Sequence, residues 1–540
     1  MPIDKGTGEK AKVAKAAGVV GSATMLSRIF GFIRDMVVAA LFGAGLATDA
    51  FFVAFRIPNL LRRLLAEGSL TVSFVPVFTE YLTQKSREEA NELACVTFTA
   101  LFCVLIVVTL LGILFAPSIV TITAPGFVTS PLQFKLAVSF TRLMFPYIFF
   151  ISLVALCMGI LNSFRHFAAP ALAPVVLNIS MITTSLALYH YFSEPLYALA
   201  WGVIAGGILQ LALQVPFLLK YGIHLKFNFS FRHPGLKKIA TLITPTLLGS
   251  AVYQLNVFIG TILASLLPKG SVSYLYYADR IVELPLGVFA IAVGTASLPS
   301  FSTHVAEGDW ENLKKTINFS LRLLLFVTIP AMVALLILAE PIISVLFKRG
   351  AFNEEAVLRT SQALFYYSLG LWAFSVVRVI DSVFFSLQDR RSPLIAAFLS
   401  FLTNVGMSLL LMGPLKHGGL ALATSIASAL NVLILHMILR KKLGSYLDKS
   451  FFTSLRKTIL ASLLMGVTLL FLPFLMPRQS GAPFLQSFSY IVINIGCGLA
   501  VFFLSSLFVK HPELMAIVNN IKKLTKPHQN DRAKSPYSGA

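Results

Sequence analysis

The chain has 540 residues, of which 56% are hydrophobic and 12% are charged, and its mean hydropathy is +0.80. Soluble globular proteins carry about 25% charged residues, so this composition excludes a soluble protein of this size. A net charge of +21 would suggest a nucleic-acid partner for a soluble protein, but here membrane topology explains it and we predict no nucleic-acid partner.

Apolar segments recur along the chain, and each is long enough to cross the roughly 30 Å of hydrocarbon in a bilayer. We predict an all-α polytopic membrane protein with fourteen transmembrane helices. The predicted spans are 17–45, 47–80, 93–122, 136–161, 168–191, 196–219, 238–267, 271–301, 313–338, 362–387, 393–412, 418–439, 457–475 and 484–507.

The first two spans carry five arginines among Phe, Leu, Ile, Val and Ala: Arg28, Arg34, Arg56, Arg62 and Arg63. A charged side chain at the centre of a bilayer costs about 2.5–3.5 kcal/mol on insertion scales. We therefore expect these guanidinium groups to face a hydrated, protein-lined interior. A cluster of guanidinium groups in such a cavity is typical of a site for a phosphate-bearing ligand.

Helical spacing predicts which of these side chains meet. Arg28 and Arg34 are about 240° apart on a regular helix and share a cavity only if the helix bends at Gly31. Arg56, Asn59 and Arg63 share one face.

The eighth span carries Arg280, with Glu283 three residues later, a spacing that allows the two side chains to form an ion pair. Snorkelling to the headgroups is the alternative interpretation of all these arginines.

The two halves of the chain resemble each other. Ala54-Phe-Arg56-Ile57 matches Ala278-Asp-Arg280-Ile281 at an offset of 224 residues, and Leu199-Ala200 matches Leu420-Ala421 at 221. The matches predict two six-helix lobes related by a pseudo-two-fold axis along the membrane normal, plus two C-terminal helices. The predicted divisions are an N-terminal tail 1–16, an N-lobe 17–219, a linker 220–237, a C-lobe 238–439, the added helices within 440–507 and a basic tail 508–540.

Basic residues cluster in both tails and in the 220–238 and 440–457 connections. The positive-inside rule then places both termini in the cytoplasm of a bacterial inner-membrane protein. The cysteines Cys95, Cys103, Cys157 and Cys497 lie in apolar spans without ligand spacing, and we interpret them as small buried hydrophobic residues. P-loop, HExxH and GxSxG motifs are missing from the sequence, so an enzyme is not predicted.

Several long motifs resemble the MurJ/MviN family of lipid II flippases, in the multidrug/oligosaccharidyl-lipid/polysaccharide exporter superfamily. They are SRIFGFIRD (27–35), FGAGLATDAFFVAFRIPNLLRRLLAEG (42–68), FVPVF (74–78), APGF (124–127), YLYYADRIVELPLGVF (274–289) and GGLALATSIAS (418–428). The resemblance implies two six-helix lobes around a cationic cavity and two further helices that form a lipid groove. It implies alternating-access transport of lipid II, the undecaprenyl-diphosphate-linked disaccharide-pentapeptide of peptidoglycan synthesis.

By the resemblance, the functional arginines are Arg28, Arg34, Arg62 and Arg280, and the acid of the second span is Asp49. Asp35, beside Arg34, and the face of Arg56, Asn59 and Arg63 complete the predicted substrate site.

Some members of the family bind sodium in the second lobe, and Asn404 and Thr424 resemble two of the ligands. Gly260 and Ser408 stand where further ligands are expected, so we do not predict a metal site. No cofactor is predicted. Membrane potential or a monovalent cation is the expected source of energy, and membrane lipids and wall-synthesis or division proteins are the expected partners.

Other function classes stay open from the sequence. A flippase for another polyprenyl-diphosphate-linked oligosaccharide would use a similar cavity. A multidrug/cation antiporter would favour acids over arginines in its cavity. A membrane scaffold would not need the arginines within its spans.

Overall fold

The computed structural model describes residues 5–62, 70–476 and 483–515, and these residues form twenty α-helices with no β-strand among them. The helices of the first half are α1 (Lys5–Phe42), α2 (Leu46–Leu61), α3 (Leu70–Gln84), α4 (Arg87–Leu114), α5 (Ala116–Thr123), α6 (Pro131–Met144), α7 (Tyr147–Ser163), α8 (Ala168–Leu188) and α9 (Leu196–Lys220). Those of the second half are α10 (Pro234–Ser265), α11 (Ser271–Pro285), α12 (Ile291–Ala306), α13 (Trp310–Ile337), α14 (Ala339–Phe347), α15 (Glu354–Ser368), α16 (Leu371–Ser386), α17 (Arg391–Leu415) and α18 (His417–Leu443). The chain then adds α19 (Lys449–Leu475) and α20 (Phe484–Phe508).

All fourteen predicted spans overlap helices of this list, so the all-α membrane fold is confirmed. Ten helical segments of the described chain are long and apolar enough to cross a membrane. An eleventh is counted if α15 and α16, which are bent by 44° at their junction, form one span. The count of fourteen stays a prediction. The arginine-bearing α1 and the helices α2 and α3 are not among the segments that are long and apolar enough to cross a membrane.

The order of the helices repeats along the chain. Helix α4 begins at Arg87 and α13 at Trp310, 223 residues later, and α8 and α17 begin at Ala168 and Arg391, also 223 apart. The nine helices α1–α9 therefore correspond in order to α10–α18. The predicted duplication is confirmed, and α19 and α20 follow it as an added pair.

Unusual backbone conformations repeat at the same offset. Arg165 and Gln388, 223 residues apart, have φ angles of 59° and 58°, and Gly222 and Gly444, 222 apart, have 68° and 74°. Positive φ is uncommon for residues other than glycine. Its recurrence at matching positions shows that the connections, as well as the helices, are duplicated.

Contacts between residues divide the described chain into two compact units. The first extends to Tyr277 and includes Phe347–Val357, and the second consists of Ala278–Leu346 and the residues from Leu358 onward. Helix α10 belongs to the first unit because it packs on α3, α4 and α5. The predicted lobe boundaries, which place α10 with the second half, stay a prediction.

In the first unit, the end of α1 is held by an unusually close backbone contact. The Ala351 N–H donates to the Ala40 carbonyl oxygen at 2.8 Å. Gly350, with φ of +53°, has room only for hydrogen, because a Cβ there would lie 2.2 Å from the same carbonyl oxygen. The segment after α14 is thereby fixed against the end of α1.

In the second unit, Asp389 caps the start of α17. Its carboxylate accepts hydrogen bonds from the backbone N–H groups of Arg391 and Ser392 at 3.0 Å, and from the Ser392 hydroxyl at 2.5 Å. The Lys442 ammonium lies 3.0 Å from the same carboxylate. Partial burial acts to raise the pKa of Asp389, but the Ser392 hydrogen bonds and Lys442 outweigh it and lower the pKa to about 2.

We expect Asp389→Ala to lower the free energy of unfolding by about 1 kcal/mol, the usual cost of losing an N-cap. Since the pKa of Asp389 is lower in the folded state than its unfolded value of about 3.9, its contribution is fully present above pH 4. The contribution is lost as the pH falls through about 2. Melting temperatures in detergent should therefore differ between wild type and variant at pH 6, and the difference should shrink as the pH falls from about 4 towards about 2. Lys442→Gln, which keeps the cap, should cost less, and a constant difference across this pH range would contradict the assignment.

Candidate functional site

Arg34 lies in a buried hydrogen-bond network that joins three helices of the first unit. On α1, its Nη2 lies 2.7 Å from Oδ1 of Asp35, which forms an ion pair with it. Its Nη1 donates to Oδ1 of Asn178 on α8 at 3.0 Å, and its Nη2 donates to the hydroxyl of Tyr276 on α11 at 3.1 Å. The Tyr276 hydroxyl in turn donates to Asp35 at 3.1 Å, which closes the network.

Burial makes this network energetically important. Arg34 and Asp35 are 9% and 3% exposed. Removing one partner of a buried ion pair typically costs about 3–5 kcal/mol, because it leaves an uncompensated charge. The ring of Tyr276 is also stacked on Phe52 of α2, with centroids 3.9 Å apart. The network therefore holds the position and orientation of the Arg34 guanidinium.

Arg28 has a different environment, although it lies on the same helix. Helix α1 continues through Gly31 without a break. Arg28 is exposed and makes no hydrogen bond or ion pair with the described part of the chain. The two arginines thus lie on different faces of α1, as a spacing of six residues dictates.

The arginines of α2 are held by polar side chains. Arg56 donates through Nη1 to the Thr261 hydroxyl of α10. Arg62, at the end of α2, donates through Nε to Oδ1 of Asn59 at 3.0 Å, a contact that the sequence analysis did not predict. Arg63 lies outside the described residues.

Asp49 is buried and caps α11. Its Oδ2 accepts from the Gly270 N–H at 2.6 Å, and its Oδ1 accepts from the N–H and the hydroxyl of Ser273 at 2.8 and 2.5 Å. Both carboxyl oxygens are therefore occupied at the start of α11, where the partial positive charge of a helix N-terminus favours an acid. The structure gives Asp49 a structural role, and its contact with substrate stays a prediction.

In the second unit, Arg280 of α11 pairs with Glu283, with Nη1 2.7 Å from Oε2. The predicted i,i+3 pair is confirmed. Helix α11 is followed at Pro285 by a π-helical turn over Leu286–Ala290 before α12 begins. Proline lacks the N–H that a regular helix needs at this position, and π-turns often occur at functional sites.

The two sodium candidates lie on α17 and α18. Asn404 is buried on α17 and accepts from the Ser408 hydroxyl at 3.4 Å, whereas the Thr424 hydroxyl donates to Leu420 of its own helix. A Cβ at Gly260 would meet open space. The described residues contain no cluster of three or more His, Cys, Asp or Glu side chains that could hold a metal ion.

Sequence reasoning missed Asn178, Tyr276 and Thr261, the partners of the arginines. Tyr276 lies in a motif that resembles the family, and Asn178 and Thr261 are polar residues in otherwise apolar spans. A polar side chain in such a span needs a hydrogen-bond partner, and the sequence therefore indicates that Asn178 and Thr261 have one. Its partner could not be read from spacing, because the pairs are separated by 144 to 242 residues.

The duplicated helices and the apolar spans define a multi-pass, all-α membrane protein. The model of the lipid II flippase family MurJ matches residues 38–506, and the chain belongs to that family, whose members are transporters and not enzymes. This confirms the predicted family and an inner-membrane, multi-pass protein.

Similar proteins cover most of the chain. A probable lipid II flippase MurJ of Buchnera aphidicola subsp. Acyrthosiphon pisum is 39% identical over 446 residues, covering 83% of this chain and 87% of its own. A probable lipid II flippase MurJ of Rhizobium meliloti is 34% identical over 529 residues, covering 96% and 98%. A solved structure described as lipid II flippase MurJ in an inward closed conformation has a TM-score of 0.77 at 29% identity, and covers 91% of this chain and 98% of its own.

A more distant structure shares only the fold. An inward-facing multidrug resistance transporter of the MATE family, in the MOP superfamily, has a TM-score of 0.64 at 15% identity. It covers 80% of this chain and 98% of its own.

We expect Asp49→Ala to lower stability by about 2–4 kcal/mol, because it leaves the buried N–H of Gly270 and the Ser273 donors without an acceptor. Ser273→Ala, which removes only the hydroxyl bond, should cost about 1 kcal/mol. Thermal unfolding in detergent measures both. Equal stability of Asp49→Ala and wild type would show that the contact is not formed.

Proposed function

We propose that this protein moves lipid II from the inner to the outer leaflet of the bacterial cytoplasmic membrane. The observation that carries the proposal is the family match over 38–506, together with the likeness over almost the whole chain to a MurJ structure. The relatives are named as probable lipid II flippases, and the duplicated helices and buried polar network of this chain fit such a transporter.

The proposed ligand-binding groups are the guanidinium groups of Arg28, Arg34, Arg62 and Arg280. A diphosphate needs planar, charged donors, which arginine supplies in pairs. Arg28 supports the proposal most directly, because it is exposed on an apolar helix and no described residue pairs with it. Arg34 and Arg62 are oriented by Asn178 and Asn59, which keeps their donors in fixed directions.

We propose transport by alternating access through an arginine-lined cavity, with the sugar-peptide headgroup in water and the polyprenyl tail in hydrocarbon. This route avoids burying an unpaired diphosphate charge, which is very costly. Helices α19 and α20 pack on each other and expose large apolar side chains, among them Leu463, Leu470, Phe471 and Leu504. Such a surface suits a lipid tail.

The proposed orientation places both termini in the cytoplasm, since the basic ends of α9 and α18 follow the positive-inside rule. An anionic headgroup then moves outward with the membrane potential, which supplies about 2.3 kcal/mol per charge per 100 mV. Protein partners in wall synthesis would bind the segments that connect the helices on the cytoplasmic or the outer side of the membrane.

We expect Arg28→Ala to slow lipid II flipping in reconstituted vesicles by roughly 10-fold to 100-fold, the loss of one charge-assisted contact of about 1.5–3 kcal/mol. Arg28→Lys should restore part of the rate, since charge remains but the fork is lost. The matched control is Arg390→Ala, an exposed arginine at the start of α17, which should flip normally.

Arg34→Ala and Arg280→Ala should slow flipping as well, but they also break ion pairs, so the folded fraction of each must be measured first. Normal flipping by correctly folded Arg28→Ala and Arg34→Ala would refute the proposed binding roles. In cells depleted of the protein, accumulation of a lipid-linked oligosaccharide other than lipid II would show a different substrate.

We expect an imposed potential, negative inside, to accelerate flipping in vesicles of defined polarity. Replacing sodium by potassium should leave the rate unchanged, because Gly260 and Ser408 stand where sodium ligands would be expected. A strict sodium requirement, or no response to potential, would contradict this coupling.

A further inference from the structure

The connection between α9 and α10, here called the linker segment (residues 221–233), runs in an extended conformation along α4 of the first unit. Three side chains of α4, spaced four residues apart, hold it: Asn91, Cys95 and Thr99. The bonds are His224 N–H to Asn91 Oδ1 at 3.2 Å, Cys95 Sγ to the His224 carbonyl at 3.2 Å, Lys226 N–H to Cys95 Sγ at 3.4 Å and Asn228 N–H to Thr99 Oγ1 at 2.8 Å.

The rise per residue of a helix and of an extended segment explains why linker residues two apart contact α4 residues four apart. Four residues of an α-helix rise about 6 Å, and two residues of an extended strand rise about 6.6 Å. Every second linker residue therefore meets the next turn of α4. Cys95 was interpreted from sequence as a small hydrophobic residue, but its thiol acts as donor and acceptor in this row of bonds.

The second unit repeats the docking. Asn318 of α13 corresponds to Cys95 at the offset of 223. It donates to the Tyr446 carbonyl and accepts from the Asp448 N–H, which correspond to His224 and Lys226 at an offset of 222. Docking of the connection is thus a duplicated feature of the fold.

The two copies differ in length. In the second unit α19 begins at Lys449, five residues after Gly444, whereas α10 begins at Pro234, twelve residues after Gly222. The longer connection contains the sequence FNFSFR (227–232). The first unit therefore carries an additional segment, here called the excursion (residues 227–232), that the second unit lacks.

Three phenylalanines of this excursion are exposed. Phe227, Phe229 and Phe231 show 56%, 65% and 50% of their surfaces. Phe227 packs on Phe102 of α4 with ring centroids 5.0 Å apart, and the rings of Phe229 and Phe231 follow in a row at 6.3 and 6.0 Å. Thr99 lies ten residues beyond Glu89, so the excursion reaches about 15 Å along α4 from its charged first turn.

Several backbone N–H groups of the linker segment have partners within the protein. Besides the bonds to α4, the Ser230 N–H donates to Asn228 Oδ1 at 3.0 Å, the Phe231 N–H to the Phe229 carbonyl at 2.8 Å and the His233 N–H to the Ser230 carbonyl at 3.0 Å. Irregular backbone at membrane depth is tolerated only where its polar groups find such partners.

Cations flank the phenylalanines in the sequence. Lys220, Lys226, Arg232 and Lys237 are exposed, and the sequence 220–238 contains no Asp or Glu. Lys238 is paired with Glu80 of α3 at 2.5 Å. Exposed aromatic rings beside cations are typical of segments that lie in the bilayer interface.

We propose that the linker segment is an interfacial membrane anchor. Phe227, Phe229 and Phe231 insert among the acyl chains of the adjacent leaflet, while Lys226 and Arg232 bind anionic phospholipid headgroups. Their long side chains can reach the headgroups from a backbone at this depth. The proposal does not depend on the flippase function, and flipping assays do not test it.

Insertion is tested with Phe229→Trp in the full chain reconstituted into vesicles. The emission of Trp201, Trp310 and Trp372, recorded from wild type in parallel, is subtracted. We expect phospholipids brominated near the headgroup end of their acyl chains to quench the added tryptophan strongly, and iodide in the buffer to quench it weakly. Strong quenching by iodide with none by brominated lipid would overturn the proposal.

Headgroup binding is tested by melting temperature in nanodiscs of phosphatidylglycerol or phosphatidylcholine. Phosphatidylglycerol should raise the melting temperature of wild type, and Lys226→Gln/Arg232→Gln should lose most of that increment. The matched control is Arg440→Gln/Lys441→Gln, two exposed cations at the end of α18, which should keep it. Equal increments in both variants would overturn the proposal.

Docking on α4 is tested by exchange of the Lys226 amide hydrogen. Cys95→Asn, which copies Asn318, should slow its exchange, and Cys95→Ala should accelerate it severalfold. Unchanged exchange in both variants would show that the segment is not held by α4.

Discussion

The structure of the first unit depends on satisfying charged and polar groups within apolar helices. Arg34 is the central case, because its guanidinium meets Asp35, Asn178 and Tyr276 from three helices. In the hydrocarbon of a bilayer such a group has no water to hydrogen-bond with. The helices that supply its partners must therefore pack in one arrangement. The charge that would disfavour membrane insertion thus specifies how α1, α8 and α11 meet.

The same requirement recurs wherever a helix begins or a connection crosses apolar surroundings. Asp49 supplies an acceptor for the start of α11, and Asp389 does so for α17. Along α4 and α13 the duplicated docking sites hold the backbone of the following connection, with a thiol in one copy and an amide in the other. Duplication preserved the geometry of these contacts while the residue types diverged.

The packing leaves two kinds of arginine side chain. The Arg34 guanidinium is fixed in direction because Asp, Asn and Tyr side chains accept its hydrogen bonds. Arg28, in contrast, is exposed on α1 without a partner in the described residues. A transporter of an anionic lipid needs both kinds of group. In the proposed mechanism, fixed guanidinium groups would orient the phosphate without further loss of side-chain entropy, and available ones would follow it. The family to which the chain belongs is consistent with this division.

Local patterns in the sequence determined the membrane class, the helical segments, the duplication and the family. They could do so because hydropathy and long motifs are properties of neighbouring residues, and the duplication is found by comparing such local motifs between the two halves of the sequence. Spacing also predicted the Arg280–Glu283 pair, which lies within one helix turn. Only the tertiary structure decided that Arg34 is buried, that Asp49 caps α11 and that Cys95 holds the linker segment. Those roles depend on partners more than a hundred residues away, and no local pattern records which distant side chain will satisfy a buried polar group.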